Sequence, residues 1–399
     1  MYSSQPTSYS GRYSWLAWGV KSHLDFASWA ALKNFICQQD AQATPEYAFG
    51  YLAYEMLHEL EEIPQGNPAF IPLPKAYFFE PENLLCFDHE QQILRAYGKE
   101  AQTLAWQEAT PAPAHNPSIQ KIHSNMRRAE YESKVVQARD AIYEGLFYQV
   151  NLTRKFYGEM EEPINAAATF LKLHSLSPSP YGAYLRMGES HILSSSPELF
   201  LRVSEDGLLE TRPIKGTLAR SGTDDENERQ HLLNSTKDQA ENLMIVDLMR
   251  NDLARIANQA SIDATRLFEI DTFRTVHHLS STISATLSPH KHYLDAIKAA
   301  FPPGSMTGAP KIAAMQWCAK NEGMERGIYS GALGWLGSRS CELSVVIRTV
   351  ILQGQRFEFQ VGGGITADSD PVKEWQETLA KARGIAQTLG ITEDSLAKI

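Results

Sequence analysis

The amino-acid sequence predicts an α+β fold with antiparallel β-sheets. Strand-like and helical segments follow one another without the regular strand–helix–strand repeat that is typical of a parallel sheet. Residues 330–365 have the pattern of a meander of hairpins, in which short β-rich runs are separated by turn residues. We find no internal repeat of fixed period, and 399 residues are enough for one large domain or two ordinary ones.

The first part of the chain differs in pattern from the rest. Residues 1–115 are predicted to form a short N-terminal lobe of short strands and helices, in which the aromatic run 46–57 is strand-like. Residues 109–118 are rich in Ala and Pro, which predicts a linker or a crossing loop. The more regular pattern that follows predicts a second region over residues 116–399, where the candidate functional residues lie.

Within the second region, periodicity and turn residues predict the elements in order. Residues 128–145 have helical periodicity and end at Gly145, a typical residue at a helix C-terminus. A strand over 146–158 follows, because β-forming residues alternate there. Residues 224–258 predict two helices, and residues 267–287 are strand-like because many of them are β-branched.

The last helix is predicted from its own start signals. Asp370 suits the N-cap position and Pro371 suits the first position of a helix that runs toward Leu389. Its apolar stripe is expected in the core, and consists of Trp375, Leu379, Ala382 and Ala386.

Composition argues against several classes of protein. The net charge is −10, and no run of Lys or Arg suggests a nucleic-acid footprint. Four widely separated cysteines without a CxxC pair predict neither a zinc site nor a disulfide framework, which fits a reducing cytosol. We expect no membrane contact and a cytoplasmic location, because the sequence has no signal-peptide pattern and no transmembrane stretch.

Two carboxylates on the last helix form a candidate cation site, with a lysine on the same face. Glu374, Glu377 and Lys381 are three and four residues apart, which places them on one helical face. Carboxylates three residues apart can chelate one hard cation. The alternative interpretation is a solvated face with an ordinary Glu–Lys pair.

A further carboxylate, Glu241, lies on a largely apolar predicted helix. The same helix carries four more polar residues, Asp247, Arg250, Asn251 and Asp252. Charged groups on such a helix need partners or a metal ion, so the alternative is an internal network of ion pairs. Glu241 with Glu374 and Glu377 would make an all-oxygen site, which Mg²⁺ prefers over Zn²⁺.

Other segments could bind an anion or carry a nucleophile. Residues 301–310 and 360–366 are predicted as Gly-rich loops, which are either anion-binding loops or plain turns, since neither matches a Walker A or dinucleotide motif. Arg348 interrupts a predicted apolar strand and pairs either with a core acid or with a ligand carboxylate. Lys215, in the turn-like stretch 211–217, is either solvated or a nucleophile.

Seven motifs together resemble those of the chorismate-utilising enzymes in order and spacing. The resemblance covers roughly residues 120–390. The motifs are YQVNLTRKF, SSSPELFL, TRPIKGT, AENLMIVDLMRNDLARI, FPPGSMTGAPK, YSGALGW and VGGGITADSDPVKEWQETLAKA.

The resemblance implies a fold and a set of site residues. The family fold has two antiparallel β-sheets packed face to face, with helices outside and the active site between the sheets. The resemblance implies one Mg²⁺ ion that holds the ring carboxylate of chorismate, bound by Glu241, Glu374 and Glu377. It also implies that Tyr329 and Arg348 hold the enolpyruvyl carboxylate. The remaining residues expected to line the substrate site are Gly362, Gly363, Gly364, Ser305 and Lys381.

Two positions distinguish branches of this family. Members that add water to chorismate carry a lysine base where this chain has Gln149, and glutamine cannot take a proton from water. Members that form aminodeoxychorismate have a lysine at the position of Lys215, whereas those that form anthranilate usually have a small residue. The resemblance therefore implies that Lys215 is a covalent nucleophile and that Glu198 is a general acid/base. His278 matches a histidine near the reacting carbon, with a packed structural histidine as the alternative.

The resemblance also implies partners. The nitrogen source would be ammonia from a separate glutamine amidotransferase subunit, because no nucleophile elbow surrounds any of the four cysteines. Two alternatives remain open at this point. One is an enzyme of the same family that releases anthranilate and pyruvate, and the other is a non-catalytic scaffold subunit of the same fold.

Overall fold

The helices and strands come from a computed structural model that describes residues 11–25, 28–39, 47–105, 116–222, 224–274 and 276–399. The strands are β1 (Tyr13–Trp18), β2 (Ser22–Leu24), β3 (Ala48–Leu52), β4 (Ala76–Glu80), β5 (Asn83–Asp88), β6 (Ile93–Tyr97), β7 (Ile119–Ser124), β8 (Gln149–Met160), β9 (Tyr181–Met187), β10 (Ser190–Ser196), β11 (Leu199–Val203), β12 (Leu208–Arg212), β13 (Ile214–Ala219), β14 (Asp263–Thr272), β15 (Val276–Thr286), β16 (Gly308–Ala309), β17 (Ala332–Leu336), β18 (Cys341–Val345), β19 (Thr349–Gln353) and β20 (Arg356–Ile365). The α-helices are α1 (Trp29–Gln39), α2 (Lys99–Thr103), α3 (Arg128–Tyr143), α4 (Ala166–Leu176), α5 (Asp225–Leu233), α6 (Thr236–Ala254), α7 (Tyr293–Ala300), α8 (Lys311–Asn321), α9 (Pro371–Thr388) and α10 (Glu393–Ala397). Short 3₁₀ turns cover Tyr54–Glu59, Gln259–Ser261 and Gly304–Met306.

The described strands form two large sheets and one small sheet. The ten-stranded sheet has the order β13-β15-β12-β11-β18-β17-β3-β4-β2, with β14 also paired to β15. The seven-stranded sheet has the order β16-β8-β20-β19-β10-β9, with β7 also paired to β8. Strands β1, β5 and β6 form the small sheet. The ladder between β8 and β20 is antiparallel, as is the ladder between β11 and β18.

The two large sheets pack face to face, with helices on their outer faces. A buried apolar cluster joins Tyr51 and Leu333 of the ten-stranded sheet to Ile192 and Ile351 of the seven-stranded sheet. A second cluster packs α6 and α7 on the outside of the ten-stranded sheet, and a third packs α4 and α9 on the outside of the seven-stranded sheet. This arrangement confirms the predicted fold class.

The ten-stranded sheet crosses the predicted boundary between residues 115 and 116. Strand β3 pairs with β17 through the register Gly50↔Gly334, so the N-terminal segment contributes the β3-β4-β2 edge of a sheet whose other strands follow residue 116. The predicted linker 109–118 lies largely outside the described residues, which resume at Asn116.

Helix α9 begins and packs as the sequence predicts. The Asp370 side chain accepts a hydrogen bond from the Lys373 backbone N–H, and Pro371 occupies the first turn. The residues of its apolar stripe are buried or partly buried: Trp375, Leu379, Ala382 and Ala386. The candidate cation ligands lie beside this stripe, where Glu374 is buried and close to Gly363 of β20.

Two predictions about local structure are wrong. The glycines Gly362, Gly363 and Gly364 do not lie in a loop but in strand β20, paired with Thr153, Leu152 and Asn151 of β8. Tertiary pairing along β8 overrides their weak strand propensity.

Arg348 does not lie in a strand either. It sits between β18 and β19, where its φ of 49° is left-handed, a strained conformation for a side chain of this size. The apolar segment before Arg348 ends strand β18 of the ten-stranded sheet, and the chain then crosses to strand β19 of the seven-stranded sheet.

Among the described helices, none combines the length and the apolar character that a membrane crossing requires.

Candidate active site

The candidate site forms where the chain crosses from one large sheet to the other. Glu198 lies on the connection from β10 of the seven-stranded sheet to β11 of the ten-stranded sheet, and Arg348 lies on the return connection from β18 to β19. The two connections are hydrogen-bonded: the Val345 N–H donates to the Glu198 carbonyl at 3.0 Å, and the Ser195 N–H donates to the Arg348 carbonyl at 3.1 Å. Glu198 and Arg348 are thus positioned by one shared backbone arrangement.

Lys215 extends from β13 of the ten-stranded sheet toward β20 of the seven-stranded sheet. A Cβ atom on Gly364 would stand only 2.7 Å from Lys215 Nζ and would also collide with the Gln149 side chain. A side chain at position 364 would therefore displace the ends of the Lys215 and Gln149 side chains from their present positions. Lys215 is partly accessible within the cleft, yet burial lowers the pKa of its ammonium group, and nearby Glu241 opposes this effect.

Glu198 is a buried carboxyl group with an unusual pKa. Its residue is 5% exposed, and burial raises the pKa of the carboxyl group to about 7. Hydrogen bonds from the Ser305 side chain and from the Ile214 backbone, together with the charge of Lys215, limit the rise. A carboxyl group that exchanges its proton near neutral pH is suited to general acid/base chemistry.

The raised pKa of Glu198 predicts a stability effect in Glu198→Gln. A folded-state pKa above the unfolded value means that the ionised form is disfavoured in the folded protein, so wild-type stability falls as pH rises through about 4.5 to 7. We expect the variant to be more stable than wild type by roughly 3 kcal/mol at about pH 8, and the difference to vanish below about pH 4. Urea denaturation at both pH values measures this, and a difference independent of pH would contradict it.

The carboxylates of α9 lie against Gly363 on the other face of β20. A Cβ atom on Gly363 would stand 3.0 Å from Glu374 Oε2 and 3.7 Å from Glu377 Oε1. Ser369 Oγ donates to Glu374 Oε1 at 2.7 Å, whereas the buried Oε2 atom has no hydrogen-bond partner. The buried hydroxyl of Tyr131, which would be 3.9 Å from the same Cβ atom, also has none.

These orphaned oxygen atoms fit a hydrated cation. Burial and the adjacent Glu377 raise the pKa of Glu374, so the ionised form of this carboxyl group is disfavoured, and the Ser369 hydrogen bond and nearby lysine charges offset this only in part. A buried carboxylate oxygen without a partner is costly, and a hard cation with its waters would satisfy it. The observed donor set is therefore compatible with the magnesium ion expected from the sequence.

Glu241 reaches the same region from α6. Its side chain is 16% exposed and lies 3.8 Å from Lys237 Nζ. Its charge is the largest Coulomb effect that favours the protonated form of Lys215. The other polar residues of α6 fit the alternative of ion pairs instead: Asp247 pairs with Arg250 on the surface, and Asp252 pairs with Lys311 at 2.7 Å.

Lys381 connects the carboxylates to the glycine strand. Its Nζ atom lies 2.6 Å from Glu377 Oε1 and donates to the Gly362 carbonyl at 2.9 Å. This ammonium group lowers the pKa of Glu377. The Glu–Lys pair that was the alternative interpretation of this helix face is present, but it neutralises only Glu377 and leaves Glu374 Oε2 unpaired.

Arg348, His278 and Tyr329 occupy the other side of the cleft. Burial lowers the pKa of Arg348, and burial together with the Arg348 charge lowers the pKa of His278 far below its ordinary value. His278 is 1% exposed, and neither of its ring nitrogens has a hydrogen-bond partner. Tyr329 is held beside this crossing because the Ser330 N–H donates to the Val346 carbonyl at 2.9 Å.

Sequence reasoning missed Arg326, which holds two site segments together. Its guanidinium group is buried, pairs with Glu322 at 2.7 Å and donates to the Met306 carbonyl at 2.7 Å and to Ser330 Oγ at 3.2 Å. Met306 follows Ser305, and Ser330 follows Tyr329, so one side chain positions both predicted residues. The spacing of Glu322 and Arg326, four residues apart, was an available but weak signal.

The predicted residues fall into neighbouring groups around β20. Lys215 faces Gly364, the α9 carboxylates face Gly363, and Lys381 bonds Gly362. Glu198 lies within electrostatic reach of Lys215 and Lys381 and bonds Ser305. Thus residues from widely separated motifs meet at one place, although their chemical roles stay predictions.

The comparison with known families shows the family to which the chain belongs. Residues 7–387 match the model of a family described as chorismate binding enzyme. The chain belongs to this family of chorismate-binding enzymes. The family covers the N-terminal segment as well as the region that carries the motifs.

Relatives of this chorismate-binding enzyme have more than one name. Aminodeoxychorismate synthase component 1 of Klebsiella aerogenes is 37% identical over 349 residues, which cover 86% of this chain and 77% of that protein. An anthranilate synthase component I-like protein of Synechocystis is 33% identical over 371 residues, covering 88% and 76%. The crystal structure of anthranilate synthase component I from Streptococcus pneumoniae TIGR4 matches with a TM-score of 0.81 at 30% identity, over 95% of this chain and 93% of that one.

These similarities confirm the resemblance that the sequence motifs indicated. The chain is a chorismate-utilising enzyme with an anthranilate synthase component I-like fold. The names of the relatives divide between two products, so the choice between them depends on the site residues.

Proposed function

We propose that this enzyme is an aminodeoxychorismate synthase component I, which replaces the 4-hydroxyl group of chorismate by an amino group. The observation that carries the proposal is the place of Lys215, whose Nζ atom reaches the glycine strand beside the buried carboxyl group of Glu198. A solvated lysine in a surface turn, which is the alternative interpretation, would not lie in this position. A lysine that burial makes easier to deprotonate can act as a nucleophile.

Lys215 would attack ring carbon C2 as a neutral amine. The new bond from nitrogen to C2 shifts the ring double bonds and breaks the bond from C4 to the hydroxyl group, which leaves as water after Glu198 donates a proton. Ammonia then attacks C4, the double bonds shift back, and the bond from Lys215 to C2 breaks. Glu198 takes up the proton that the incoming nitrogen loses, and the enolpyruvyl group stays on the ring.

The substrate is a dianion, and the site offers cationic and hydrogen-bonding groups for both carboxylates. The buried guanidinium group of Arg348 and the hydroxyl group of Tyr329 would hold the enolpyruvyl carboxylate. The strand Gly362–Gly364 would line the substrate site beside Ser305 and Lys381. His278 would lie near C4, where its low pKa keeps the imidazole neutral.

Magnesium would be held by Glu241, Glu374 and Glu377. When bound, it would neutralise and orient the ring carboxylate of the substrate. The unpaired Oε2 atom of Glu374 supports this assignment. Lys381 lowers the pKa of Glu377, which favours the ionised form of this one carboxylate beside β20.

The ammonia would come from a separate glutamine amidotransferase subunit. The name component 1, carried by the Klebsiella aerogenes relative, supports a partner component. The product would supply p-aminobenzoate and folate synthesis after a further lyase step.

The second candidate function is that of an anthranilate synthase component I. It is favoured by the name of the Synechocystis relative and by the Streptococcus pneumoniae structure. Both reactions start from chorismate and ammonia, so they differ only in the carbon that accepts nitrogen and in the loss of pyruvate.

The products distinguish the two functions directly. The purified chain is incubated with chorismate, MgCl₂ and ammonium chloride, and the products are identified by mass spectrometry. We expect a product that keeps the enolpyruvyl group and gains an amine at C4. Anthranilate with pyruvate would overturn the proposal in favour of the second candidate. If no turnover occurs even after a glutaminase subunit is added, the non-catalytic scaffold is the better interpretation.

A further inference from the structure

A second group of metal-ligand side chains lies on the outer face of the ten-stranded sheet. Asp225 and Glu228 project from α5, and His277 projects from β15. Nε2 of His277 lies 3.6 Å from Asp225 Oδ1 and 3.8 Å from Glu228 Oε2, and the three ligand atoms lie within 4.8 Å of one another. Among the described residues, this is the one group of three His, Cys, Asp or Glu side chains whose ligand atoms all lie within 4.8 Å of one another.

The imidazole of His277 points into this group and is not satisfied by it. The side chain is 0% exposed, and Nε2 has no hydrogen-bond partner. The other ring nitrogen, Nδ1, lies 3.0 Å from Thr272 Oγ1 on the adjacent strand, which fixes the direction of Nε2. Nε2 faces two carboxylates at distances longer than a hydrogen bond, and an ion between the three groups would bind all of them.

The two carboxylates are held in place by other groups. Asp225 and Glu228 are three residues apart on α5, so they share one face. Arg220 donates to both carboxylate oxygens of Asp225, from Nε to Oδ1 at 2.8 Å and from Nη2 to Oδ2, and these hydrogen bonds together with its charge lower the pKa of Asp225. The Ser221 N–H donates to Glu228 Oε1 at 3.1 Å. A carboxylate oxygen has more than one acceptor direction, so these bonds leave room for an ion.

We propose that Asp225, Glu228 and His277 bind one divalent transition-metal ion, with Zn²⁺ as the best fit. Zn²⁺ accepts imidazole and carboxylate ligands at about 2.0–2.2 Å, which places tetrahedral ligand atoms about 3.4 Å apart. The two distances from His277 Nε2, 3.6 and 3.8 Å, are close to this value, and no two of the three ligand atoms are more than 4.8 Å apart, so side-chain shifts would close the set around an ion. The imidazole ligand disfavours Mg²⁺ and Ca²⁺, which prefer oxygen, and a water molecule would complete the coordination.

This site is separate from the candidate active site but connected to it through the sheet. His277 and His278 are adjacent in β15, so their side chains point to opposite faces, with His278 toward the cleft. Strand β15 pairs with β13, which carries Lys215, through the register Leu218↔His277. An ion here would hold α5 against β15, which carries His278 and pairs with the strand that carries Lys215. The expected role is therefore structural.

The test measures Zn²⁺ binding by competition with a chromophoric chelator, in excess Mg²⁺ to occupy hard-cation sites. We expect one tightly bound Zn²⁺ in the wild-type chain. His277→Gln and Glu228→Gln should each weaken it by at least about 10- to 100-fold. The matched controls on the same helix, His231→Gln and Glu226→Gln, should leave the affinity unchanged because both residues are exposed and outside the group.

A second variant and a second probe keep the test decisive. Since His277 is fully buried, its variant could fail to fold, whereas Glu228 lies near the surface and is the safer substitution. Co²⁺ should give visible d–d bands in the wild type that disappear in Glu228→Gln. Wild type without tight Zn²⁺ binding would overturn the proposal. So would tight binding that survives Glu228→Gln but is lost in a Glu374→Gln/Glu377→Gln double variant.

Discussion

Replacing Lys215 by alanine is expected to lower aminodeoxychorismate formation by at least about 10³-fold, because the variant has no nucleophile to form the covalent intermediate. Chorismate binding should change much less, since Tyr329 and Arg348 remain. The reaction is followed by mass spectrometry of the products with ammonium chloride as the nitrogen source. A product mixture shifted toward anthranilate would also agree with the prediction. The variant lacks only the route through a covalent bond to Lys215, so direct attack of ammonia on the ring could still occur.

Controls separate the loss of a nucleophile from the loss of a charge. Lys215→Arg keeps a positive charge but not a deprotonatable amine, so it should be as inactive as the alanine variant. Lys298→Ala removes an exposed lysine of α7 and should leave the activity unchanged. Wild-type rates of aminodeoxychorismate formation in Lys215→Ala would rule out the covalent mechanism.

Replacing Glu374 by glutamine should have two opposite effects. Magnesium affinity should fall by roughly 10- to 100-fold or more, because the variant loses a proposed ligand. In the absence of magnesium, the same variant should be more stable than wild type at neutral pH. Burial and Glu377 raise the pKa of Glu374, so its ionised form is disfavoured in the folded protein above the unfolded pKa. Calorimetric titration with MgCl₂ and thermal unfolding without it measure the two effects.

A loss of magnesium affinity together with a gain of stability is specific to a buried metal ligand. An ordinary structural carboxylate would be expected to lose stability on substitution, without an effect on metal affinity. Glu393→Gln, at an exposed ion pair with Arg383, is the control for removing one negative charge nearby in the chain. A Glu374→Gln protein with wild-type magnesium titration would exclude Glu374 from the ligand set.

Helix α9 shows how much local sequence can predict. Its N-cap, its first-turn proline, its apolar stripe and the shared face of Glu374, Glu377 and Lys381 follow from residue types and helical spacing alone, and the structure confirms each of them. These features depend on contacts within four residues. Such contacts are the same in any protein that contains this helix.

The glycine segment and Arg348 show where local sequence is insufficient. Gly362, Gly363 and Gly364 have the composition of a turn, but β8 pairs with them across more than two hundred residues of chain. Arg348 follows an apolar β-branched run that is typical of a strand, yet the run ends where the chain leaves one sheet for the other. Strand pairing and sheet crossing are properties of the whole fold, so no local window contains them.

The sequence by itself determined the fold class, the family resemblance and the identity of the candidate residues, because motifs and periodicity are written in residue types and spacings. Only the tertiary structure decided which groups face one another. It placed Lys215 against Gly364 and Glu374 against Gly363 on opposite faces of one strand, and it left Glu374 Oε2 and His277 Nε2 without hydrogen-bond partners. Burial, and the pKa shifts and unpaired atoms that follow from it, arise when distant segments exclude water together, so they exist only in the folded chain.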